Sequence, residues 1–180
     1  MSYEFLNPLW WSESPIGLGH FFAALIALVI GPVSFLRRKG DRLHRLLGYT
    51  YVSVMAVVNV SALTMYELTG GPNLFHFFAA LSLATIVPGV WCVLRARRTG
   101  RRELLISHYY FMSWSYFGLL AAFVSQVATQ VRVMPGGIPP FVAVGGLTAL
   151  LAIGATVLIN RNAKPYILRF SPGNDSRGGA

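Results

Sequence analysis

Long apolar blocks divided by short polar breaks make up most of the chain. The blocks cover about residues 16–36, 43–68, 74–94, 104–131 and 141–159, each long enough as a helix to cross a hydrocarbon core about 30 Å thick. The breaks are Arg37-Arg38-Lys39-Gly40-Asp41-Arg42, Thr69-Gly70-Gly71-Pro72-Asn73, the arginine-rich stretch from 95 to 102, and Met134-Pro135-Gly136-Gly137-Ile138-Pro139-Pro140. The pattern predicts an all-α fold, a polytopic transmembrane helical bundle of five spans in one domain over residues 1–159. Tyr3, Phe5, Leu6, Leu9, Trp10 and Trp11 predict a short segment at the membrane–water boundary before the first span. That span is expected to stay in the chain: no Lys or Arg precedes it, and its apolar run exceeds a signal-peptide core. Residues 160–180 are expected to form a polar, disordered tail.

One six-residue word occurs twice. His20-Phe21-Phe22-Ala23-Ala24-Leu25 returns letter for letter as His76-Phe77-Phe78-Ala79-Ala80-Leu81, and a proline follows each histidine by twelve residues, at Pro32 and Pro88. A basic turn comes next in both copies, and a second histidine, His44 or His108, opens the following block. All four histidines of the protein therefore hold repeat positions. The repeat predicts a four-helix core built from two parallel two-helix units, with the fifth helix on its flank. Gly145, Ala149 and Ala152 are expected to give that fifth helix a small-residue packing stripe.

Composition agrees with the blocks. Hydrophobic residues are 54% of the chain and charged residues 12%, against about 25% charged in soluble domains; mean hydropathy is +0.55. The partner is thus a lipid bilayer. The net charge of +9 does not describe a nucleic-acid surface, because the basic residues sit in short turns between spans. Fourteen of the fifteen Lys and Arg residues fall on one side of the predicted topology, with only Arg132 opposite. The positive-inside rule then puts the amino terminus outside and the carboxyl terminus in the cytoplasm, in the cell's inner (cytoplasmic) membrane. Cys92, the lone cysteine, excludes an intramolecular disulfide and is read as a packing residue.

Depth decides which histidines can meet. Seventeen residues separate His20 from Arg37, about 25 Å of helix, so His20 and His76 lie near the outer boundary. His44 and His108 lie just past the basic turns, near the inner one. The expected pairs are His20 with His76 and His44 with His108, each joining the two halves. Imidazoles on facing helices are a common way to build a cofactor or metal site in a bundle. The plain alternative is a hydrogen bond to a neighbouring helix, a headgroup or water. Asn59 and Gln126 reach the depth of His20 and His76 and complete an outer polar cluster, or serve ordinary interhelical hydrogen bonding. Arg45 could meet a phosphate or substrate anion, or only solvent. Gly48, one turn from His44, could admit a flat ring. Pro32 and Pro88 are expected to kink their helices and free the carbonyls of Leu28 and Ala84.

His20, Gly31-Pro32, Lys39-Gly40 and the HRxxG motif His44-Arg45-Leu46-Leu47-Gly48, followed by Tyr49, resemble an uncharacterised bacterial family of predicted membrane proteins whose domain has no assigned function. The resemblance covers about residues 16–132, including His76 and the stretch from His108 to Met112. It implies the topology and the four histidines, and no reaction. Three readings follow from the residues. The first is b-type haem held by paired imidazoles, with transmembrane electron transfer to a redox partner. The layout is similar to two-haem transmembrane b-type cytochromes, though the chain lacks their six spans. The second is metal handling or oxidase assembly, where two imidazoles without carboxylate or thiolate make an incomplete zinc or copper site. The third is a structural subunit of a larger membrane complex, without a cofactor.

Overall fold

The computed structural model describes residues 14–65, 71–72, 74–130 and 140–170. These form five helices: α1 (Pro15–Leu36), α2 (Arg42–Thr64), α3 (Leu74–Thr99), α4 (Glu103–Gln130) and α5 (Pro140–Phe170). The expected interfacial segment before residue 14, most of the 69–73 break, the 134–139 break with nearby Arg132, and the last ten residues lie outside the described part.

Local chemistry sets the helix ends. Ser14 accepts the amide of Gly17 at 3.2 Å and Pro15 opens α1, where its missing N–H costs nothing. Asp41 caps α2 through its Oδ1, which accepts the amide of His44 at 2.6 Å. That bond first, then the nearby Arg37, holds the Asp41 carboxyl below its ordinary value. Each basic turn contains one glycine in the left-handed region, Gly40 (φ 86°) and Gly100 (φ 71°), which reverses the chain at no Cβ penalty.

Two helices outrun the expected spans. α3 continues to Thr99, taking in Arg95, Arg97 and Arg98, because arginine is a good helix former and is favoured at a helix carboxyl end. α5 continues to Phe170, so residues 160–170 are helical rather than part of a disordered tail. Ala155, Ile159 and Ala163 repeat every four residues and stay buried, which carries the packing face past the expected end.

α1 packs on α2 and α3 on α4 as two hairpins; α2 against α3 and α1 against α4 close a four-helix core, and α5 packs on α4. Ala27, Tyr51, Met55, Ile86 and Leu119 fill its centre. The fifth helix is turned differently from expectation. Gly145 and Ala149 are exposed, and the buried face is Val144, Ala155, Ile159 and Ala163. Small residues occur on both faces of α5, so size alone could not select the contact. Hydrogen bonds from Tyr109 to the Ile159 carbonyl (3.2 Å) and between Ser125 and Thr148 (3.3 Å) set its rotation.

By length and composition, α1, α2, most of α3 and much of α5 qualify to cross a membrane. α4 has 28 residues, about 42 Å of helix, and is not one of these four. It is also the helix packed on three others, α1, α3 and α5. Its serines 113, 115 and 125 are at most 1% exposed. Asn59 and Ser61 on α2 and His76 on α3 are buried as well, so polar side chains are turned inward, as an apolar solvent requires. The outward surface is the reverse: Val29, Leu36, Val60, Val87, Trp91, Leu150 and Leu168 are all exposed.

Candidate functional site

The histidines occupy the two ends of the bundle. At the end away from the basic turns, which the sequence reads as outer, His20 on α1 bonds to α2: its Nδ1 lies 3.1 Å from the Val58 carbonyl and 2.9 Å from Ser61 Oγ. The Ser61 hydroxyl donates to the Val57 and Val58 carbonyls, so it accepts from His20. Asn59, 2% exposed, spends its amide on the Met55 carbonyl of its own helix at 2.8 Å. His76 is buried on α3 and Gln126 is half-buried on α4. Ala80 and Ala84, expected to leave room beside His76, are exposed; the small residue facing inward is Ala79.

At the end of the basic turns, which the sequence reads as inner, the Nδ1–H of His108 donates to the Gly89 carbonyl at 2.8 Å, and His44 Nδ1 lies 3.3 Å from Ser34 Oγ. Both partners come one or two residues after the prolines of α1 and α3. His44 and His108 come from different hairpins, each beside a basic turn. Lys39 Nζ donates to the Ser34 and Phe35 carbonyls, both at 2.9 Å, which fixes it at the end of α1. Arg97 donates to the Tyr49 hydroxyl of α2 at 3.0 Å. Arg45 is exposed, and a Cβ added at Gly48 would meet nothing within 4 Å.

A carbonyl only accepts, so His20 and His108 carry their proton on Nδ1, and a neutral ring then leaves the Nε2 lone pair for a ligand. This is the arrangement in which histidines bind metal, with the other ring nitrogen held by a carbonyl or hydroxyl. Among the described residues no three His, Cys, Asp or Glu side chains converge as a metal ion site would require. Of the two imidazoles beside the basic turns, only His108 has its tautomer settled, because the hydroxyl partner of His44 can either donate or accept.

Several contributing residues were missed from sequence. Ser61 and Ser125 each follow the inner histidine of their half by seventeen residues, and Tyr51 and Ser115 each follow it by seven. The Tyr51 hydroxyl and Ser115 Oγ meet at 3.0 Å between the hairpins. The second half of each repeat unit, read for matching positions rather than matching letters, carries that signal.

Fold and surface define an all-helical integral membrane protein. The chain belongs to a family described as predicted membrane protein (DUF2306), which matches residues 17–163. No curated protein and no solved structure matches it.

Proposed function

We propose that the chain holds one b-type haem between His44 and His108 at the basic, cytoplasmic end of the bundle, and exchanges electrons with a partner at that face. The observation that carries the reading is the inner pair itself. His108 has its Nδ1 proton committed to the Gly89 carbonyl, and His44 stands beside the basic turn of the other hairpin. Haem, when bound, supplies reversible one-electron transfer. The protein's part is to present two neutral imidazoles, held in orientation by Gly89 and Ser34. The open space at Gly48 keeps side-chain bulk away one turn from His44.

The outer histidines read differently. His20 ties α1 to α2 through Val58 and Ser61, and a packed layer including Met55, Ile86 and Leu119 fills the core between the two ends. We assign the outer cluster of His20, His76, Asn59 and Gln126 to holding the helices together rather than to a second haem.

The test is the absorption spectrum of the purified full chain. A Soret band is expected, lost in His44→Ala and in His108→Ala and kept in His20→Ala, which instead lowers the melting temperature. A colourless wild-type protein, or a band that survives His108→Ala, overturns the assignment.

A further inference from the structure

Past the expected end of its span, α5 stays helical and stays packed, with Ile159 and Ala163 buried. The exposed side of the same turns carries Asn160, Arg161 and Lys164. Lys164 is four residues from Asn160 and three from Arg161, so the three are neighbours on one helix surface. The Tyr110 hydroxyl of α4 donates to Asn160 Oδ1 at 3.3 Å, which orients the amide and leaves its two N–H donors for another acceptor. Among the described residues, neither Arg161 nor Lys164 has a carboxylate partner: the ion pairs are Arg37 with Asp41 and Arg101 with Glu103. Like charges at this spacing on a helix repel, and an anion between them removes that cost.

The surface just before the triad is apolar. Val157 lies one turn before Arg161 and Ile153 one turn before Val157, and they are 62% and 63% exposed. Both belong to the stretch of α5 long and apolar enough to cross a membrane, Val144–Pro165, and the triad closes that stretch. One rigid helix face thus offers hydrocarbon first and then three donors, two of them charged.

We propose that Asn160, Arg161 and Lys164 bind the phosphate of an anionic phospholipid whose acyl chains lie along Val157 and Ile153. Guanidinium, ammonium and amide all donate to phosphate oxygens. The continuous apolar stripe selects a lipid over a free anion. An anionic headgroup is preferred to a choline one, whose own cation would face Arg161 and Lys164.

Native mass spectrometry of the full chain, released from detergent mixed with phosphatidylglycerol or phosphatidylcholine, measures the lipid retained. Wild type is expected to hold phosphatidylglycerol about tenfold more tightly, as two exposed cations at an anionic headgroup imply. The double variant Arg161→Gln, Lys164→Gln is expected to hold both lipids equally, whereas Arg161→Lys keeps the preference. Arg38→Gln with Arg42→Gln removes the same charge from the first basic turn and is expected to leave the preference intact. Equal retention of both lipids by wild type overturns the site, and so does a preference that survives in the Arg161, Lys164 variant. Loss of the preference in the Arg38, Arg42 variant overturns it too, since net charge would then account for the binding. Inorganic phosphate that raises the melting temperature as much as phosphatidylglycerol does would make a free anion the ligand and overturn the lipid assignment.

Discussion

A Cβ built at Gly31 would overlap two ring carbons of Tyr116, whereas one built at Gly48 meets nothing within 4 Å. The first glycine is a contact and the second a gap. Gly31 lets the Tyr116 ring approach α1 closely enough for its hydroxyl to reach the Leu28 carbonyl at 3.4 Å. That carbonyl lies four residues before Pro32, which has no N–H to donate to it, so Tyr116 supplies from α4 the bond the proline removes. Gly31→Ala is therefore expected to lower stability by about 1–3 kcal/mol through overpacking. Tyr116→Phe, losing only the long hydrogen bond, should lose about 0.5–1.5 kcal/mol. Gly48→Ala should leave the melting temperature unchanged or raise it, since alanine gains up to about 1 kcal/mol of helix propensity. Thermal melts in detergent check all three, and a Gly31→Ala protein melting like wild type would refute the contact. The freed Leu28 carbonyl could be read from Pro32 alone. Its partner, 88 residues away, could not, because nothing local distinguishes Tyr116 from the other tyrosines of α4.

Among the helices, α5 shows how rotation is decided. Ala149 is exposed and Ala155 is 1% exposed, although both are small residues in an apolar stretch. Ala155→Leu is expected to force α5 off α4 and cost about 1–3 kcal/mol. Ala149→Leu places the same bulk against lipid and should cost little. If the two variants melt alike, the observed rotation of α5 is wrong. Helix length followed the same logic at the other end of the hairpins. Arg95, Arg97 and Arg98 read as a turn because they are charged, yet they extend α3 by a further turn, ended only by Gly100 in its left-handed conformation. Charge marked the helix boundary wrongly, since a helix may outlast the apolar layer it is expected to cross.

For the whole molecule, the arrangement of basic residues predicts the orientation. Arg37 to Arg45, Arg95 to Arg102 and the basic residues beyond Asn160 hold fourteen of fifteen Lys and Arg. They are expected to face the cytoplasm, with all five helices crossing. Reporter fusions after Arg38 and Arg98 should read as internal and those after Gly71 and Gly137 as external; an internal reading at Gly137 would remove α4 from the spans. The apolar blocks, the polar breaks and the doubled histidine word were decisive in the sequence itself, because lipid permits only self-satisfied backbone and leaves long apolar helices as the answer. From the same source came the place of His44 and His108 beside the basic turns, which their positions in the chain determine. Tertiary packing decided what faces what. It buried three serines of α4, chose among small residues on α5, set Tyr116 against Gly31, and turned His20 to Ser61 and His108 to Gly89. Those choices depend on shape and on hydrogen-bond partners from distant segments, and between equally apolar faces a sequence pattern carries no preference.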